Sequence, residues 1–250
     1  MQNAIRHFGA DTVMEQITHY ANIFHVPDSL HIEYVGKVCC QYPDLAPDFN
    51  GSKKKNKLDP EQCVEQWVKK FLHGYLERIS LRNSKMPGTI PDNAIVVILQ
   101  SALTGISLEQ AKKIVYAHRL GMSAENILGL LLEEFLFEML SPVGWAMAWG
   151  ETIKHVDFCN VEGCLLQIKN RSNSENSSSS KIRDGKPIDK WFRINATTGR
   201  CEWEALESIV GHRIAGLNEE SFQCFIKKTL ANNPSALAIE SNNPWGNLKS

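Results

Sequence analysis

Residues 60 to 140 carry a nearly unbroken succession of helical patterns, and this feature limits the fold more than any other. In the segment LDPEQ, Asp59 can cap a helix and Pro60 suits its first turn, and apolar residues then recur at helical spacing. Asp92 or Asn93 can begin a second helix over AIVVILQSAL. The first two patterns therefore predict two separate helices.

Two further helices are predicted before residue 142. The segment SLEQAKKIVYAHRLG has Ser107 as a cap with Gln110 at the capping-box position, and Gly121 closes it. The segment SAENILGLLLEEFLFEMLSP starts with Ser123 as its cap and stops before Pro142. The stretch from 60 to 140 is thus predicted to be mainly helical.

Short strands are predicted after this helical stretch. The segments ETIKHVDFCN and CLLQIKN contain residues that favour strands, and VEG between them is typical of a hairpin turn. IDKWFRINATTGRCEW can contain another strand, and LNEESFQCFIKKTL predicts a helix capped by Asn218. We therefore expect one α/β domain over residues 1–250, with a mainly helical scaffold and dimerisation part at 1–140 and the hairpin, a polar loop and a C-terminal helix at 141–250.

The composition of the chain argues against several classes of protein. The chain has 250 residues, 43% of them hydrophobic, and a net charge of −1, which gives no sign of a strongly basic domain. No apolar run approaches the ~20 residues of a membrane span, and the start does not resemble a signal peptide. The seven cysteines show no metal-binding spacing, so reduced thiols, mostly buried, are expected. These features predict a cytoplasmic protein without a membrane partner.

Three polar side chains converge on the predicted hairpin. Residues two apart share one face of a strand, so Gln167 and Lys169 are neighbours, and an antiparallel partner strand would bring Asp157 to the same rim. A carboxylate, an amide oxygen and an ammonium suit phosphodiester hydrolysis with a divalent cation. Mg²⁺ fits these oxygen ligands. An ordinary amphipathic hairpin ending in lysine is the alternative.

A second metal ligand could come from the helix before the hairpin. Glu134 and Glu138 lie four residues apart on one helical face, so either could supply the carboxylate that Gln167 lacks. A solvated helix face is the competing interpretation. Trp145 and Trp149 are expected in the core. The other candidate acids are Glu133, Glu151 and Glu162, the last of which is expected to be exposed in the turn.

A basic, polar tract follows the hairpin. Residues 169–193 contain seven basic and three acidic residues, a net charge of +4 in a chain of net −1. Such a tract suits contacts with phosphates, and arginine and asparagine can bind base edges in the grooves. A flexible linker with solvating charges is the alternative. The candidate DNA-binding residues are Arg171, Asn173, Asn176, Lys181, Arg183, Lys186, Lys190 and Arg193.

The hairpin and tract together, VDFCNVEGCLLQIKNRSNSENSSSSKIRDGKPIDKWFR, resemble type II restriction endonucleases and are most similar to the SinI-type group. The resemblance is strongest over residues 145–203. It implies a PD-(D/E)xK nuclease fold, with a restriction-endonuclease-like core of a mixed central sheet flanked by helices. It also implies Mg²⁺-dependent cleavage of double-stranded DNA, a homodimer on a near-palindromic GGWCC-like site, and a methyltransferase that modifies the same site.

By this resemblance Asp157 matches the first acid of the motif and Lys169 its lysine, while Gln167 stands where the second acid usually stands. Val156 replaces the proline of the motif. Asp157, Gln167 and Lys169 are therefore the expected catalytic residues, with Asp157, Gln167, Glu134 and Glu138 as candidate metal ligands. Two other functions stay open: a repair or mismatch nuclease of the same fold, and a non-catalytic DNA-binding protein whose site has decayed.

Overall fold

Helices make up most of the N-terminal half of the chain, and a small sheet follows them. The computed structural model describes residues 1–50, 57–86, 88–172, 188–240 and 243–245. Within these residues the helices are α1 (Gln2–Phe8), α2 (Ala10–Ile23), α3 (Ile32–Gln41), α4 (Pro60–Leu76), α5 (Asn93–Ala102), α6 (Leu108–Leu140), α7 (Trp203–Val210) and α8 (Glu219–Asn232). The strands are β1 (Trp145–Met147), β2 (Phe158–Asn160), β3 (Leu165–Arg171) and β4 (Ile188–Ile194).

The helices whose first turns carry capping residues begin where the sequence predicts. The Asp59 carboxylate accepts a hydrogen bond from the Gln62 amide, and the Gln62 side chain accepts one from the Asp59 amide, so α4 starts in a capping box. Asp92 caps α5 by accepting from Ala94 N–H at 2.9 Å. The cap at Asn218 is likewise present at the start of α8. Local hydrogen bonding therefore defines these helix starts.

The predicted break between two helices at residues 121–123 is wrong. The capping box of Ser107 and Gln110 forms, but α6 then continues for 33 residues to Leu140. Gly121 lies within the helix and Ser123 is not a cap. A glycine inside a helix costs about 1 kcal/mol relative to alanine, which the flanking helix-forming residues offset.

The four strands form one mixed sheet in the order β1-β2-β3-β4. β1 and β2 are antiparallel, β2 and β3 are antiparallel, and β3 and β4 are parallel. The turn between β2 and β3 is the predicted VEG segment, where Gly163 has a φ of 85° and its amide donates to Asn160 O. The prediction of a mixed sheet flanked by helices is confirmed, and β1 is a strand that the sequence pattern did not show.

The first predicted hairpin strand is shorter than expected. Of the segment ETIKHVDFCN only Phe158–Asn160 is a strand, and Trp149–Glu151 forms a short 3₁₀ turn. Glu151 and His155 have φ values of 55° and 63°, in the left-handed region that no strand uses. Asp157 therefore lies immediately before β2, and His155 lies in the preceding turn rather than in a strand.

The chain divides into two compact units. The first comprises Met1–Glu77 and Glu133–Phe222, and the second Arg78–Leu132 and Gln223–Ser250. Trp149 lies in the core of the first unit, where its ring packs against the rings of Tyr75 and Phe137 with centroid distances of 5.5 and 5.1 Å. The expectation that Trp145 and Trp149 are core residues is confirmed. The second unit has its own small core of Val96, Ala111 and Val115, flanked by Leu99 and Ile106.

All seven cysteines are free thiols, as expected, but they do not share one environment. Cys39, Cys63 and Cys159 are buried, whereas Cys164, Cys201 and Cys224 are exposed. The expectation of burial therefore holds only for part of the set. Across the described residues, no helix is both long and apolar enough to span a bilayer.

A close backbone approach joins α4 to the 3₁₀ turn before the hairpin. A Cβ atom on Gly74 would overlap the backbone of Gly150, and a Cβ on Gly150 would overlap the carbonyl oxygen of Lys70. Gly150 also has a φ of 69°, which favours glycine. The turn can lie against the helix only because both positions lack a side chain.

Alanine at Gly74 and at Gly121 should have opposite effects on stability. Gly74→Ala forces the backbone of α4 away from the backbone of the turn at Gly150, and it is expected to lower the free energy of unfolding by at least about 2 kcal/mol. Gly121→Ala, where an added Cβ meets nothing within 4 Å, should raise it by about 0.5–1 kcal/mol through helix propensity. Urea denaturation followed by circular dichroism measures both. A loss of stability in Gly121→Ala would contradict the continuous helix α6.

Candidate active site

Asp157 is held against β3 by two hydrogen bonds that bracket one residue of that strand. Its amide donates to Leu166 O at 2.9 Å, and its carboxylate Oδ2 accepts from Ile168 N–H at 2.7 Å. A third bond, from Ala148 N–H to Asp157 O, ties the same residue to the end of β1. Backbone groups thus fix the carboxylate next to Gln167, the residue between Leu166 and Ile168.

The environment of this carboxyl group is unusual for an aspartate. Burial raises the pKa of Asp157 to about 6, and the Glu151 carboxylate also acts to raise it. The hydrogen bond from Ile168 and the positive charge of Lys169 act in the opposite direction. Asp157, Glu151 and Lys169 therefore lie close enough to affect one another electrostatically.

Gln167 and Lys169 lie on the same face of β3, as strand geometry predicts. Only 4% of the Gln167 surface is exposed, whereas Lys169 is exposed at the rim. The strand therefore presents an amide below the surface and an ammonium group above it, beside the Asp157 carboxylate. The Ile168 amide, which sequence reasoning missed, follows from the hairpin register and completes the immediate surroundings of Asp157.

The other predicted acids differ in their surroundings. Glu134 is buried, with 4% of its surface exposed, while Glu138 and Glu162 are exposed and Glu133 is intermediate. Among the residues that the structure describes, no three His, Cys, Asp or Glu side chains cluster where they could hold one metal ion. The structure thus does not bring Glu134 and Glu138 together with Asp157 in a three-acid cluster.

Glu151 is the predicted acid whose negative charge acts to raise the pKa of Asp157, in addition to the larger effect of burial. Its left-handed backbone, with φ 55°, is an uncommon conformation for a residue with a side chain. The conformation is supported by a hydrogen bond from Lys70 Nζ to Glu151 O at 3.1 Å. A backbone strained in this way is a feature that functional sites often have.

The donors at this site match the chemistry of a hard divalent cation. Carboxylate oxygens of Asp157 and Glu151 and the amide oxygen of Gln167 are the ligand types that Mg²⁺ prefers. A bound cation would also offset the cost of burying the charged Asp157 carboxylate, which is the main cause of its raised pKa. The residues present therefore fit a bound Mg²⁺.

The predicted DNA-binding residues are only partly within the described residues. Arg171 is exposed at the end of β3, and Lys190 is partly buried on β4. Arg193 is only 5% exposed: its Nη1 donates to both carboxylate oxygens of Glu219 at 2.6 and 2.7 Å, and its Nε donates to Asn170 Oδ1. Its placement lends no support to a DNA contact. The candidates outside the described residues are Asn173, Asn176, Lys181, Arg183 and Lys186.

The chain as a whole is similar to two type II restriction enzymes. The chain is 37% identical over 207 residues to the type II restriction enzyme Eco47I of Escherichia coli, an alignment that covers 81% of this chain and 87% of the relative. It is 43% identical over 199 residues to the type II restriction enzyme SinI of Salmonella infantis, covering 78% of this chain and 84% of the relative.

The sequence profile of the SinI restriction endonuclease family matches residues 14–232. The matched region includes the hairpin, both lysine-bearing strands, the helices α3 to α8 in full and most of α2. The agreement therefore extends well beyond the short hairpin on which the sequence resemblance depends. The chain belongs to the SinI restriction endonuclease family.

Proposed function

We propose that this protein is a type II site-specific deoxyribonuclease that hydrolyses both strands of DNA at a short, near-palindromic, GGWCC-like site with Mg²⁺ as cofactor. The observation that carries the proposal is the fixed position of Asp157 against the strand that bears Gln167 and Lys169, in a chain of this family. The enzyme acts in the cytoplasm, where a methyltransferase that modifies the same site protects the host DNA.

The roles follow from the chemistry of each group. Asp157, Glu151 and Gln167 would hold Mg²⁺, which supplies charge neutralisation and a more acidic bound water. Lys169, exposed at the rim, orients the attacking water and stabilises charge on the phosphate. We place Glu151 rather than Glu134 or Glu138 in this set because of its electrostatic effect on Asp157.

Recognition is proposed for the segment after β3. Residues 169–193 carry a net charge of +4, which favours phosphate contacts. Arg171 is exposed at the end of the catalytic strand β3, where it can continue the contact with the DNA backbone. The polar segment that follows supplies the amide and guanidinium groups for base edges.

Digestion of unmethylated plasmid DNA by the purified protein tests the proposal. With Mg²⁺ we expect discrete fragments whose sequenced ends share one short site, and with EDTA we expect intact DNA. Cleavage confined to mismatched or nicked DNA would instead support the repair nuclease. Intact DNA with every divalent metal would support the non-catalytic DNA-binding protein.

Lys169→Ala should separate the enzyme from a protein with a decayed site. The substitution removes an exposed ammonium without touching the core, so the fold and most of the DNA affinity are retained. We expect a fall in the single-turnover cleavage rate of at least about 100-fold, because charge on the phosphate is no longer stabilised. Lys37→Met, at an exposed position on α3, is the control for loss of one positive charge. Equal cleavage by Lys169→Ala and wild type would refute the role.

The number of carboxylates should determine the affinity for Mg²⁺. Gln167→Glu adds a negative charge beside Asp157 and is expected to lower the Mg²⁺ concentration for half-maximal cleavage, whereas Glu151→Gln should raise it by roughly tenfold. Titration calorimetry with Mg²⁺ on both variants measures the affinity apart from cleavage. Unchanged affinity in Glu151→Gln would remove that residue from the ligand set, and loss of all cleavage in Gln167→Glu would show that the amide is required.

We propose that the enzyme is a homodimer and that α5 supplies contact between the copies. The described residues of one chain form one such hairpin, so cutting two strands at a near-palindromic site calls for two copies related by a two-fold axis. On α5, Val96 and Leu99 pack on the core of the second unit, while Val97 and Ile98 are 62% and 63% exposed. Residues 93–107 contain no charged side chain. Such a face has no positive charge to attract DNA phosphates and can meet its own copy without charge repulsion.

A charge on this face should weaken the dimer. Ile98→Lys is expected to raise the dimer dissociation constant at least about 30-fold, since a central apolar contact is replaced by a charge. Ile23→Lys, at a half-exposed isoleucine on α2, is the matched control and should behave as wild type. Sedimentation velocity over a range of concentrations measures the effect. Equal dimerisation of Ile98→Lys and the control would show that α5 is not the interface.

A further inference from the structure

Lys190 occupies a position on the sheet that its place in the sequence does not suggest. It follows the polar tract by only a few residues, yet β4 returns parallel to β3 with Gln167 in register with Lys190 and Lys169 in register with Phe192. The segment that leaves the catalytic strand at Arg171 thus comes back beside it. Lys190 is a cross-strand neighbour of the candidate metal ligand Gln167.

The direction of the Lys190 side chain follows from its neighbours on β4. Trp191 is buried, packs on the Trp203 ring at 5.2 Å and donates from Nε1 to Glu202 O. Arg193 is ion-paired with Glu219. Because side chains alternate along a strand, Lys190 and Phe192 project from the other face, the one that carries Gln167 and Lys169.

The residue beside Lys190 on that face, Gln167, is uncharged, and this affects how Lys190 can interact with a phosphate. A carboxylate at position 167 would lie beside Lys190 and attract its ammonium group. The amide of Gln167 has no net charge to compete with a substrate phosphate for that ammonium. Lys169 and Lys190, each partly or fully accessible, then lie on the same face of the sheet as Gln167, which separates Lys190 from the strand that Asp157 precedes.

We propose that Lys190 is a catalytic residue that contacts the scissile phosphate and neutralises the charge that develops on it, rather than a contact of the recognition segment. This inference rests on the proposed nuclease function. The ammonium of Lys190 supplies, from β4, positive charge at the same phosphate that Lys169 approaches from β3. A preorganised cation in a partly buried position stabilises such charge more than a solvated one does.

Lys190→Met tests the inference in the full-length protein with a short duplex that contains the cleavage site. We expect the single-turnover rate at saturating enzyme to fall at least about 100-fold, with the DNA dissociation constant, measured by anisotropy with Ca²⁺, changed less than about fivefold. Lys190→Arg keeps the charge and should recover part of the rate. Lys37→Met should match wild type in both measurements.

Other outcomes would overturn the inference. A rate for Lys190→Met within threefold of wild type would show that Lys190 does not act on the phosphate, and weakened binding with an unchanged saturated rate would return it to recognition. Wild-type protein that cuts no duplex with any divalent metal would instead refute the nuclease function on which the inference rests. If Lys190→Met shows an altered circular dichroism spectrum, the rate of a folded Lys190→Gln variant decides between these outcomes.

A double-substitution cycle gives a second measurement that does not depend on cleavage. If Lys190 neighbours position 167, Glu at that position is partly neutralised by the lysine. The gain in Mg²⁺ affinity from Gln167→Glu should therefore be larger in the Lys190→Met background than in wild type. Equal gains in the two backgrounds would show that the side chains do not interact.

Discussion

The pair of hydrogen bonds between Asp157 and β3 is the interaction on which the candidate site depends. One bond joins two backbone groups and the other binds the carboxylate itself, at 2.9 and 2.7 Å. The same strand carries Gln167 and Lys169, so the three groups cannot move independently of one another. Burial of the carboxyl group raises its pKa to about 6, while the hydrogen bond from Ile168 and the charge of Lys169 act to lower it.

The turn before β2 makes this placement possible. Left-handed backbone at Glu151 and His155 redirects the chain so that Asp157 enters the sheet between Ala148, next to β1, and β3. The turn is held from behind by α4: Gly74 lets the backbones touch, and the Trp67 indole donates to Thr152 O at 3.1 Å. Strain near the site is therefore compensated by close packing in the helical part of the same unit.

Local signals explain which elements the sequence predicted. A side-chain cap begins each of the helices α4, α5 and α8, and the sequence predicts these starts. No side-chain cap bond forms at the first residues of four other helices, so the sequence does not predict where they begin. These helices are α1, α2, α3 and α7, with Met1, Gly9, His31 and Glu202 at their cap positions. Asp157, Gln167 and Lys169 could be singled out because a hairpin has a simple register. The sequence does not predict that Glu151 lies close to Asp157, because this depends on an uncommon backbone turn. It does not predict the register of Lys190 either, because this depends on a parallel pairing of two strands that the polar tract separates.

The parallel pairing of β3 and β4 also connects recognition with chemistry. The polar tract proposed to bind bases begins after Arg171 on one strand and ends just before Lys190 on the next, so both of its ends join the face that carries Gln167 and Lys169. Behind this face, Arg193 joins Asn170 of β3 to Glu219 at the start of α8, which keeps the strand ends together. Correct docking of the tract on DNA would therefore position Lys169 and Lys190 at the phosphate, and poor docking would displace both. Discrimination between sites then arises in the cleavage step as well as in binding.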